Sequence, residues 1–124
     1  MILIVDDDEA MAENCAMFLE MQGFEVSIAG SSAEALSQLD GGSAELLISD
    51  CEMQGMTGLE LSKALKANPV TAQLPILLMS GSRRCDVAPG TSYDAFLRKP
   101  FLAENLLTEV RKLLDAASRQ TTSI

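Results

Sequence analysis

The sequence predicts an α/β fold in which a parallel sheet of five strands is covered on both faces by helices. Three observations predict it: short apolar runs alternate with helical patterns, the connections between them are short, and no linker or repeat divides the 124 residues. Alternating strands and helices favour a parallel sheet, whose strands are buried on both faces. A chain of this length buries enough surface for one core, so we expect one domain.

Each predicted strand is a short run of apolar residues that stops at a polar residue or a turn. Runs rich in Ile, Leu and Val, bounded in this way, are typical of buried strands. The predicted strands span residues 2–5, 24–29, 46–48, 75–79 and 95–98.

The predicted helices fill the intervals between the strands. Acidic residues open the first helix, where they suit the helix dipole, and Gly23 ends it. Ser31 or Ser32 can accept hydrogen bonds at the start of the second helix. The last helix has apolar residues at the spacing of a core-facing stripe. The four predicted helices span residues 9–22, 33–39, 58–67 and 103–117.

The segment between the fourth and fifth strands breaks this alternation. A crossover helix is expected at residues 82–94, but Pro89 and Gly90 interrupt it and the segment shows no apolar periodicity. Proline and glycine both disfavour a helix interior. We therefore predict that this helix, the fourth of the fold, is short or irregular.

The first helix carries two partly apolar stripes, and only one of them can face the sheet squarely. The first stripe is Met11, Cys15, Phe18 and Leu19, and the second is Ala10, Asn14, Met17 and Met21. The second stripe could serve as a docking surface for a partner helix, since methionine side chains adapt to varied surfaces. The alternative is that both stripes pack inside the protein.

Charge and composition exclude several classes of function. The chain has 9 basic and 18 acidic residues, a formal net charge of −9, and no histidine. Such a surface repels phosphate backbones and anionic lipids, so we expect no nucleic-acid binding and no membrane association by this segment. The apolar stretches are too short to span a bilayer, and the amino terminus does not resemble a signal peptide. Three widely spaced cysteines indicate apolar filling in a reducing compartment, which predicts a cytoplasmic location.

Polar side chains follow the ends of four predicted strands. They are Asp6 and Asp7 after the first strand, Asp50 after the third, Ser80 after the fourth and Lys99 after the fifth. Ligands of open parallel sheets bind at the carboxyl ends of the strands, where these side chains should meet. Mg²⁺ takes carboxylate oxygens and leaves positions for a phosphate oxygen. The set therefore predicts a magnesium-assisted phosphoryl site.

Each of these residues alone has an ordinary structural explanation. Acids at a helix start can simply complement the helix dipole, a lysine is usually a solvated cation, and a serine after a strand is usually a turn residue. Packing alone does not explain so many suitable side chains at the ends of four strands. The joint arrangement favours the phosphoryl site.

Four segments carry a resemblance to a known family. They are ILIVDD at residues 2–7, LLISDCEMQGMTG at 46–58, PILLMSG at 75–81 and FLRKPF at 96–101. In this order and spacing the chain resembles the receiver domain of bacterial two-component response regulators. The resemblance implies a doubly wound, flavodoxin-like sheet with strand order 2-1-3-4-5. It implies a receiver domain at residues 1–117, with 118–124 left as a polar carboxyl-terminal tail.

The resemblance also implies roles for the residues at the strand ends. Asp50 would be the phosphoacceptor, and its carboxylate would attack the phosphorus of a phosphohistidine donor. Asp7, Asp50 and the backbone carbonyl of Glu52 would bind Mg²⁺ directly, while Asp6 would hold a metal-bound water. Lys99 would pair with Asp50 and then with the phosphoryl oxygens.

Two further residues would form a switch. Ser80 would hydrogen-bond the phosphoryl group, and Phe96 occupies the place of the family's switch aromatic. Ser80 would move toward the new phosphoryl oxygens, and Phe96 could fill the space that it leaves. A cis peptide bond is expected between Lys99 and Pro100, where it is common in the family.

Two positions near Asp50 depart from the family pattern. Gln54 stands where proline is common, and Thr57 stands where aspartate is common. We expect both to change the stiffness of the loop but not its chemistry. The side chain of Glu52 could also affect the lifetime of the phosphoryl group, in a direction that the residue type does not decide.

The resemblance thus implies a phosphorelay receiver that works with a histidine kinase or a histidine phosphotransfer protein and with an unidentified downstream protein. It would phosphorylate itself and would not turn over a separate substrate. A haloacid-dehalogenase-type phosphatase also uses Asp, Lys and Mg²⁺, but its D-x-D motif is missing at Asp50-Cys51-Glu52. A pseudo-receiver would keep the fold without phosphorylation, whereas the acids and Lys99 are all present. A flavin-binding module would need a Gly/Ser/Thr-rich loop after the first strand, where acids stand.

Overall fold

The computed structural model of the chain describes residues 1–40, 44–53, 55–81 and 93–122, with side chains described as far as residue 117. The strands are β1 (Ile2–Val5), β2 (Val26–Ala29), β3 (Leu46–Asp50), β4 (Ile76–Ser80) and β5 (Ala95–Arg98). They form one parallel sheet in the order β2-β1-β3-β4-β5. The helices of the described residues are α1 (Glu9–Met21), α2 (Ser32–Leu39), α3 (Gly58–Ala67) and α4 (Ala103–Thr122). The predicted fold class and strand order are confirmed.

The strand register sets which residues reach the carboxyl edge of the sheet. Asp50 is the last residue of β3 and aligns with Met79, so the next residue of β4, Ser80, lies one step further along. Ser80 in turn aligns with Arg98, the last residue of β5. The acids that follow β1 and the lysine that follows β5 therefore meet the ends of β3 and β4 at one edge.

The core lies on both faces of the sheet because side chains alternate between faces along each strand. One face carries residues such as Leu3, Val5 and Leu78, which pack against α2 and α3. The other face carries residues such as Ile4 and Leu77, which pack against α1 and α4. Strands β1, β3 and β4 are buried along their whole length, whereas β2 and β5 at the edges are largely half-buried. The strands that carry the acids are thus the best packed.

Helix α1 turns only one of its two apolar stripes inward. Cys15 and Leu19 are buried against the sheet, with Met11 and Phe18 packed beside them. The second stripe faces outward: Met17 and Met21 are 60% and 76% exposed, and Ala10 and Asn14 are exposed as well. The alternative in which both stripes pack inside is therefore wrong.

Helix α3 begins with a capping box next to the loop after Asp50. The Thr57 hydroxyl accepts a hydrogen bond from the backbone N–H of Glu60 (3.2 Å), and the Glu60 carboxylate accepts one from the Thr57 N–H (3.0 Å). This second bond, from the Thr57 backbone, lowers the pKa of the Glu60 carboxyl. Thr57, a departure from the family pattern, thus acts as the helix cap, a task that threonine and aspartate both perform.

Several predicted boundaries differ from the structure by one or two residues: β3 ends at Asp50 instead of residue 48, β4 spans Ile76–Ser80 instead of 75–79, and α1 and α2 each differ by one residue at one end. Two further differences have an identifiable cause. Strand β2 starts at Val26 instead of residue 24, because the Phe24 N–H bonds the Leu19 carbonyl (3.2 Å) in the turn around Gly23, where φ is +96°. Helix α4 continues to Thr122, so the segment after residue 117, which was predicted to be a polar tail outside the helix, is helical as far as residue 122. No glycine or proline interrupts residues 118–122, and the arginine and glutamine at positions 119 and 120 are residue types that favour a helix.

The predicted short or irregular helix at residues 82–94 lies almost entirely outside the described residues, which resume at Tyr93. Its last residue is held firmly: Asp94 Oδ2 accepts hydrogen bonds from the Ile76 N–H (2.8 Å) and from Lys66 Nζ (3.0 Å). These bonds fix the entry into β5 against β4 and α3. Among the described residues, no helix is both long and apolar enough to cross a membrane.

Gly58 lies so close to the backbone at the end of β3 that a side chain there has no space. A Cβ on Gly58 would overlap the Asp50 carbonyl oxygen and come within 2.9 Å of the Cys51 Cα. Gly58→Ala is expected to lower the free energy of unfolding by about 2 to 3 kcal/mol, because strand and helix backbones must move apart. Urea denaturation followed by circular dichroism measures this loss.

The matched control is Gly30→Ala, since a Cβ at Gly30 meets only a Glu34 carboxylate oxygen at 3.5 Å. This control should stay within about 0.5 kcal/mol of the wild type. Equal stability of the two variants would contradict the close approach of α3 to the end of β3.

Candidate functional site

Backbone hydrogen bonds hold the predicted site residues at the carboxyl edge of the sheet. The Asp6 N–H bonds the Ala29 carbonyl at the end of β2 (3.1 Å), and the Lys99 N–H bonds the Ser80 carbonyl at the end of β4 (2.9 Å). Asp50 is itself the last residue of β3. Strands β1, β3, β4 and β5 therefore end at the same edge of the sheet, and their polar side chains lie close together there.

The three acids form one cluster. One carboxylate oxygen from each of Asp6, Asp7 and Asp50 lies within 4.8 Å of the other two. Asp6 and Asp50 are buried, with 1% and 7% of their surface exposed, and Asp7 is exposed. Ionised carboxylates at this spacing repel one another, and burial removes the water that would screen them.

Lys99 supplies a positive charge to two of these acids. Its Nζ lies 3.3 Å from Asp50 Oδ2 and 3.7 Å from Asp6 Oδ2, and 22% of the lysine side chain is exposed. The three carboxylates thus exceed this one ammonium by two charges. The Lys99-Pro100 peptide bond that follows is cis, as the family resemblance implies.

Asp6 is the least satisfied of the acids. Its Oδ1 accepts a hydrogen bond from the Asp8 N–H (2.9 Å), but its Oδ2 is buried and has no hydrogen-bond partner among the described residues. Burial raises the pKa of the Asp6 carboxyl, and the charges of Asp50 and Asp7 act in the same direction. The Asp8 N–H and Lys99 oppose this shift without cancelling it. A buried carboxylate oxygen without a donor, beside two further carboxylates, suits a hard divalent cation.

Ser80 has a partner that the sequence analysis did not find. Its Oγ donates a hydrogen bond to Glu52 Oε1 at 2.7 Å, and the Glu52 N–H donates to Asp50 Oδ1 at 3.2 Å. Ser80 is fully buried, whereas Glu52 is exposed. The two residues are 28 positions apart, so no local pattern in the sequence indicates their contact.

Phe96 is half-buried on β5 and packs against the face of the core that α2 and α3 cover. Its ring centroid lies 6.2 Å from that of Tyr93 at an interplanar angle of 52°, and the Arg98 guanidinium carbon lies 5.8 Å from the same ring. The ring therefore stands between the apolar core and a charged surface. This position is compatible with an aromatic side chain that moves between the two.

Two cysteines of the described residues are buried, as expected of apolar filling. Cys15 in α1 and Cys51 after β3 have 7% and 1% of their surface exposed. Burial and the charge of Asp6 raise the pKa of Cys15, so its thiol stays protonated and is a poor nucleophile.

Comparisons with known proteins agree on one family. The sequence model described as response regulator receiver domain matches residues 2–111. The sensory transduction protein RegX3 of Mycolicibacterium smegmatis is 28% identical over 116 residues, which are 91% of this chain and 50% of that protein. The C4-dicarboxylate transport transcriptional regulatory protein DctD of Rhizobium meliloti is 33% identical over 114 residues, which are 90% of this chain and 24% of that protein.

A solved structure gives the same result. The chemotaxis protein CheY4 of Vibrio cholerae matches with a TM-score of 0.80 at 28% sequence identity, over 90% of this chain and 96% of that chain. The curated relatives are longer: this chain spans half of the RegX3 protein and about a quarter of the DctD protein. The similarity therefore concerns one domain of those regulators.

The pKa of Asp6 predicts how the metal-free protein responds to pH. The folded-state pKa lies above the unfolded value, so ionised Asp6 opposes folding, and this penalty grows as the pH rises through the folded-state pKa. Asp6→Asn is therefore expected to raise the free energy of unfolding at pH 7 in EDTA by about 1 to 3 kcal/mol. Near pH 3 the gain should disappear, because Asp6 is then neutral in both states.

Thermal and urea unfolding at several pH values measure this effect. Asp7→Asn is the control, because it removes an acid of the same cluster from an exposed position. A loss of stability for Asp6→Asn at pH 7 would show that the Lys99 ion pair outweighs the burial of Asp6. A larger gain for Asp7→Asn would show that repulsion among the acids, and not the burial of Asp6, sets the cost.

Proposed function

Because this chain belongs to the response regulator receiver domain family, which works in two-component signalling, we propose that Asp50 accepts a phosphoryl group from a phosphohistidine donor. The observation that carries the proposal is the surroundings of the Asp50 carboxylate. Lys99 Nζ lies 3.3 Å from one of its oxygens, and the carboxylates of Asp6 and Asp7 stand within 4.8 Å. A nucleophile, a cation for the phosphoryl oxygens and a cluster of metal-type ligands thus lie together.

The reaction needs positioning and charge neutralisation more than covalent chemistry by the protein. A carboxylate oxygen of Asp50 forms a bond to phosphorus while the bond from phosphorus to the donor imidazole nitrogen breaks, and the electron pair returns to the imidazole. Lys99, already beside Asp50, would follow the phosphoryl oxygens and stabilise their charge. The Glu52 N–H, which donates to Asp50 Oδ1, helps to fix the direction of the carboxylate.

Asp6, Asp7, Asp50 and the backbone carbonyl of Glu52 would hold Mg²⁺. The Asp6 Oδ2, which accepts no hydrogen bond from the described residues, and the excess of negative charge support this assignment. Bound Mg²⁺ would neutralise phosphoryl oxygens during transfer. In its absence the same excess charge repels an incoming phosphoryl group, so phosphorylation should depend on the metal.

The product would add about two negative charges and three acceptor oxygens at the end of β3. Ser80 would donate its hydroxyl to one of these oxygens, and Phe96 would respond as the switch aromatic. The half-buried position of Phe96 between core and surface supports such a movement. A covalent change at Asp50 would thereby alter a partner-binding surface.

The partners would be a histidine kinase or a histidine phosphotransfer protein on the donor side and another protein on the output side. Receiver domains of this family are not generally turnover enzymes, and we assign no separate substrate to this chain. The family match does not favour the haloacid-dehalogenase alternative. The pseudo-receiver alternative is addressed by the first experiment, and the cytoplasmic location stays a prediction.

The first test is the intact mass of the protein after treatment with acetyl phosphate, with and without Mg²⁺. The wild type should gain one phosphoryl group only with the metal, and Asp50→Asn should gain none because its amide is not a nucleophile. Asp40→Asn, which changes an exposed acid that ends α2, is the matched control and should behave as the wild type.

A wild type that neither gains mass nor binds the phosphoryl mimic beryllofluoride would favour the pseudo-receiver. A wild type that gains no mass but binds the mimic would indicate a short-lived phosphoryl group. A phosphoryl group that persists in Asp50→Asn would show that another residue is the acceptor.

The exposed stripe of α1 supports a second prediction, on partner docking. Met17→Glu is expected to slow phosphoryl transfer from a histidine-containing donor protein by about tenfold, because a carboxylate would be buried against the partner. Phosphorylation by acetyl phosphate should not change, since Met17 lies outside the acid cluster. Kinetics followed on phosphate-affinity gels measure both reactions.

Val70→Glu is the control, because Val70 is 71% exposed and lies beyond the end of α3. It should transfer at the wild-type rate from both donors. Equal slowing of both reactions in Met17→Glu would mean that the substitution disturbs the fold and that the stripe is not a docking surface.

A further inference from the structure

The contact between Ser80 and Glu52 occupies the hydroxyl that the proposed switch needs. The Oγ···Oε1 distance of 2.7 Å is that of a short hydrogen bond to a charged acceptor. Its two partners differ in their surroundings, because Ser80 is fully buried at the end of β4 whereas Glu52 is exposed in the loop after β3. We refer to this hydrogen bond as the Ser80–Glu52 latch.

A serine hydroxyl has a single hydrogen and can donate it to one acceptor at a time. A phosphoryl oxygen on Asp50 and the Glu52 carboxylate are therefore alternative acceptors for the same donor. The geometry points to a regulatory role for the Glu52 side chain: it holds Ser80 in the unphosphorylated arrangement and must release it before Ser80 can contact the phosphoryl group. This inference rests on the proposed function of Asp50 and assigns a positioning residue to the same site.

The release is coupled to Asp50 through Glu52. The Glu52 N–H already donates to Asp50 Oδ1 at 3.2 Å, so residue 52 contacts the acceptor through its backbone and Ser80 through its side chain. A phosphoryl group on Asp50 brings negative charge toward the Glu52 carboxylate, which repels it. Because Glu52 is exposed, water can take the place of Ser80 as its donor.

The latch predicts opposite effects of one substitution on two properties. Glu52→Ala should lower the thermal stability of the metal-free protein, because Ser80 loses its acceptor. It should also tighten the binding of beryllofluoride in the presence of Mg²⁺ by about tenfold, because Ser80 no longer has to be released. A purely structural role for Glu52 would weaken both properties together.

The experiment is a double-mutant cycle with Glu52→Ala, Ser80→Ala and the double variant, each measured for unfolding in EDTA and for beryllofluoride affinity by calorimetric titration. The cycle distinguishes loss of the Ser80–Glu52 hydrogen bond from loss of the Glu52 negative charge. Glu52→Ala removes that charge both in the wild type and in Ser80→Ala, but it removes the hydrogen bond only in the wild type. We expect Glu52→Ala to change the affinity by less than about threefold once Ser80 is absent. Glu9→Ala removes an exposed acid from the start of α1, leaves the latch intact and serves as the charge control.

Coupling between the two substitutions in both measurements supports the latch. Additive effects in the unfolding cycle would overturn it by showing that the two side chains do not interact. Coupling in unfolding with additive effects on beryllofluoride affinity would overturn the regulatory role, because the hydrogen bond would then not compete with the phosphoryl group. A wild type that fails to bind beryllofluoride would overturn the proposed function of Asp50 instead, and the unfolding cycle would still report whether the latch exists.

Discussion

The accumulation of negative charge at one edge of the sheet is the constraint on which the rest of the structure depends. One carboxylate oxygen from each of Asp6, Asp7 and Asp50 lies within 4.8 Å of the other two, and the Lys99 ammonium contacts Asp6 and Asp50. Burial makes this costly, most of all for Asp6, whose Oδ2 has no donor among the described residues. The packed strands β1, β3 and β4 hold the acids in place against their repulsion. A cation at this edge would relieve the same repulsion, so the feature that weakens the metal-free protein favours ligand binding.

The central strands and the edge strand β5 carry different parts of the proposed site. The central strands carry the acids and Ser80, and they are buried on both faces, which limits their movement. Strand β5 carries Phe96 and leads into Lys99, and both residues are only half-buried. The backbones that carry Asp50 and Ser80 are thus held in the core, whereas Phe96 and Lys99, which are proposed to respond to the phosphoryl group, lie at the border with solvent.

The loop between β3 and α3 connects the acceptor to its surroundings. The Glu52 N–H bonds the Asp50 carboxylate, the Glu52 side chain bonds Ser80, and the Met56 carbonyl accepts a hydrogen bond from Ser32 in α2 (2.9 Å). Gly58 allows α3 to start directly against the end of β3. A change of charge at Asp50 therefore acts on a segment that is tied to β4, α2 and α3. These contacts would carry the effect of the proposed phosphorylation from Asp50 to the surface.

The sequence by itself determined the elements whose causes are local. Residues 2–5, 58–67 and 95–98 have the predicted bounds because apolar runs, the Thr57 cap and the following turn residues lie within the elements or beside them. Alternation of strands and helices was enough to predict one parallel sheet, and therefore to place Asp6, Asp50, Ser80 and Lys99 at its carboxyl edge. Only the tertiary structure decided which stripe of α1 faces outward, that Asp6 keeps an oxygen without a donor, and that Ser80 bonds Glu52. These features depend on distances between residues far apart in the chain, which arise only when the strands pair and the helices pack, and no local spacing encodes them.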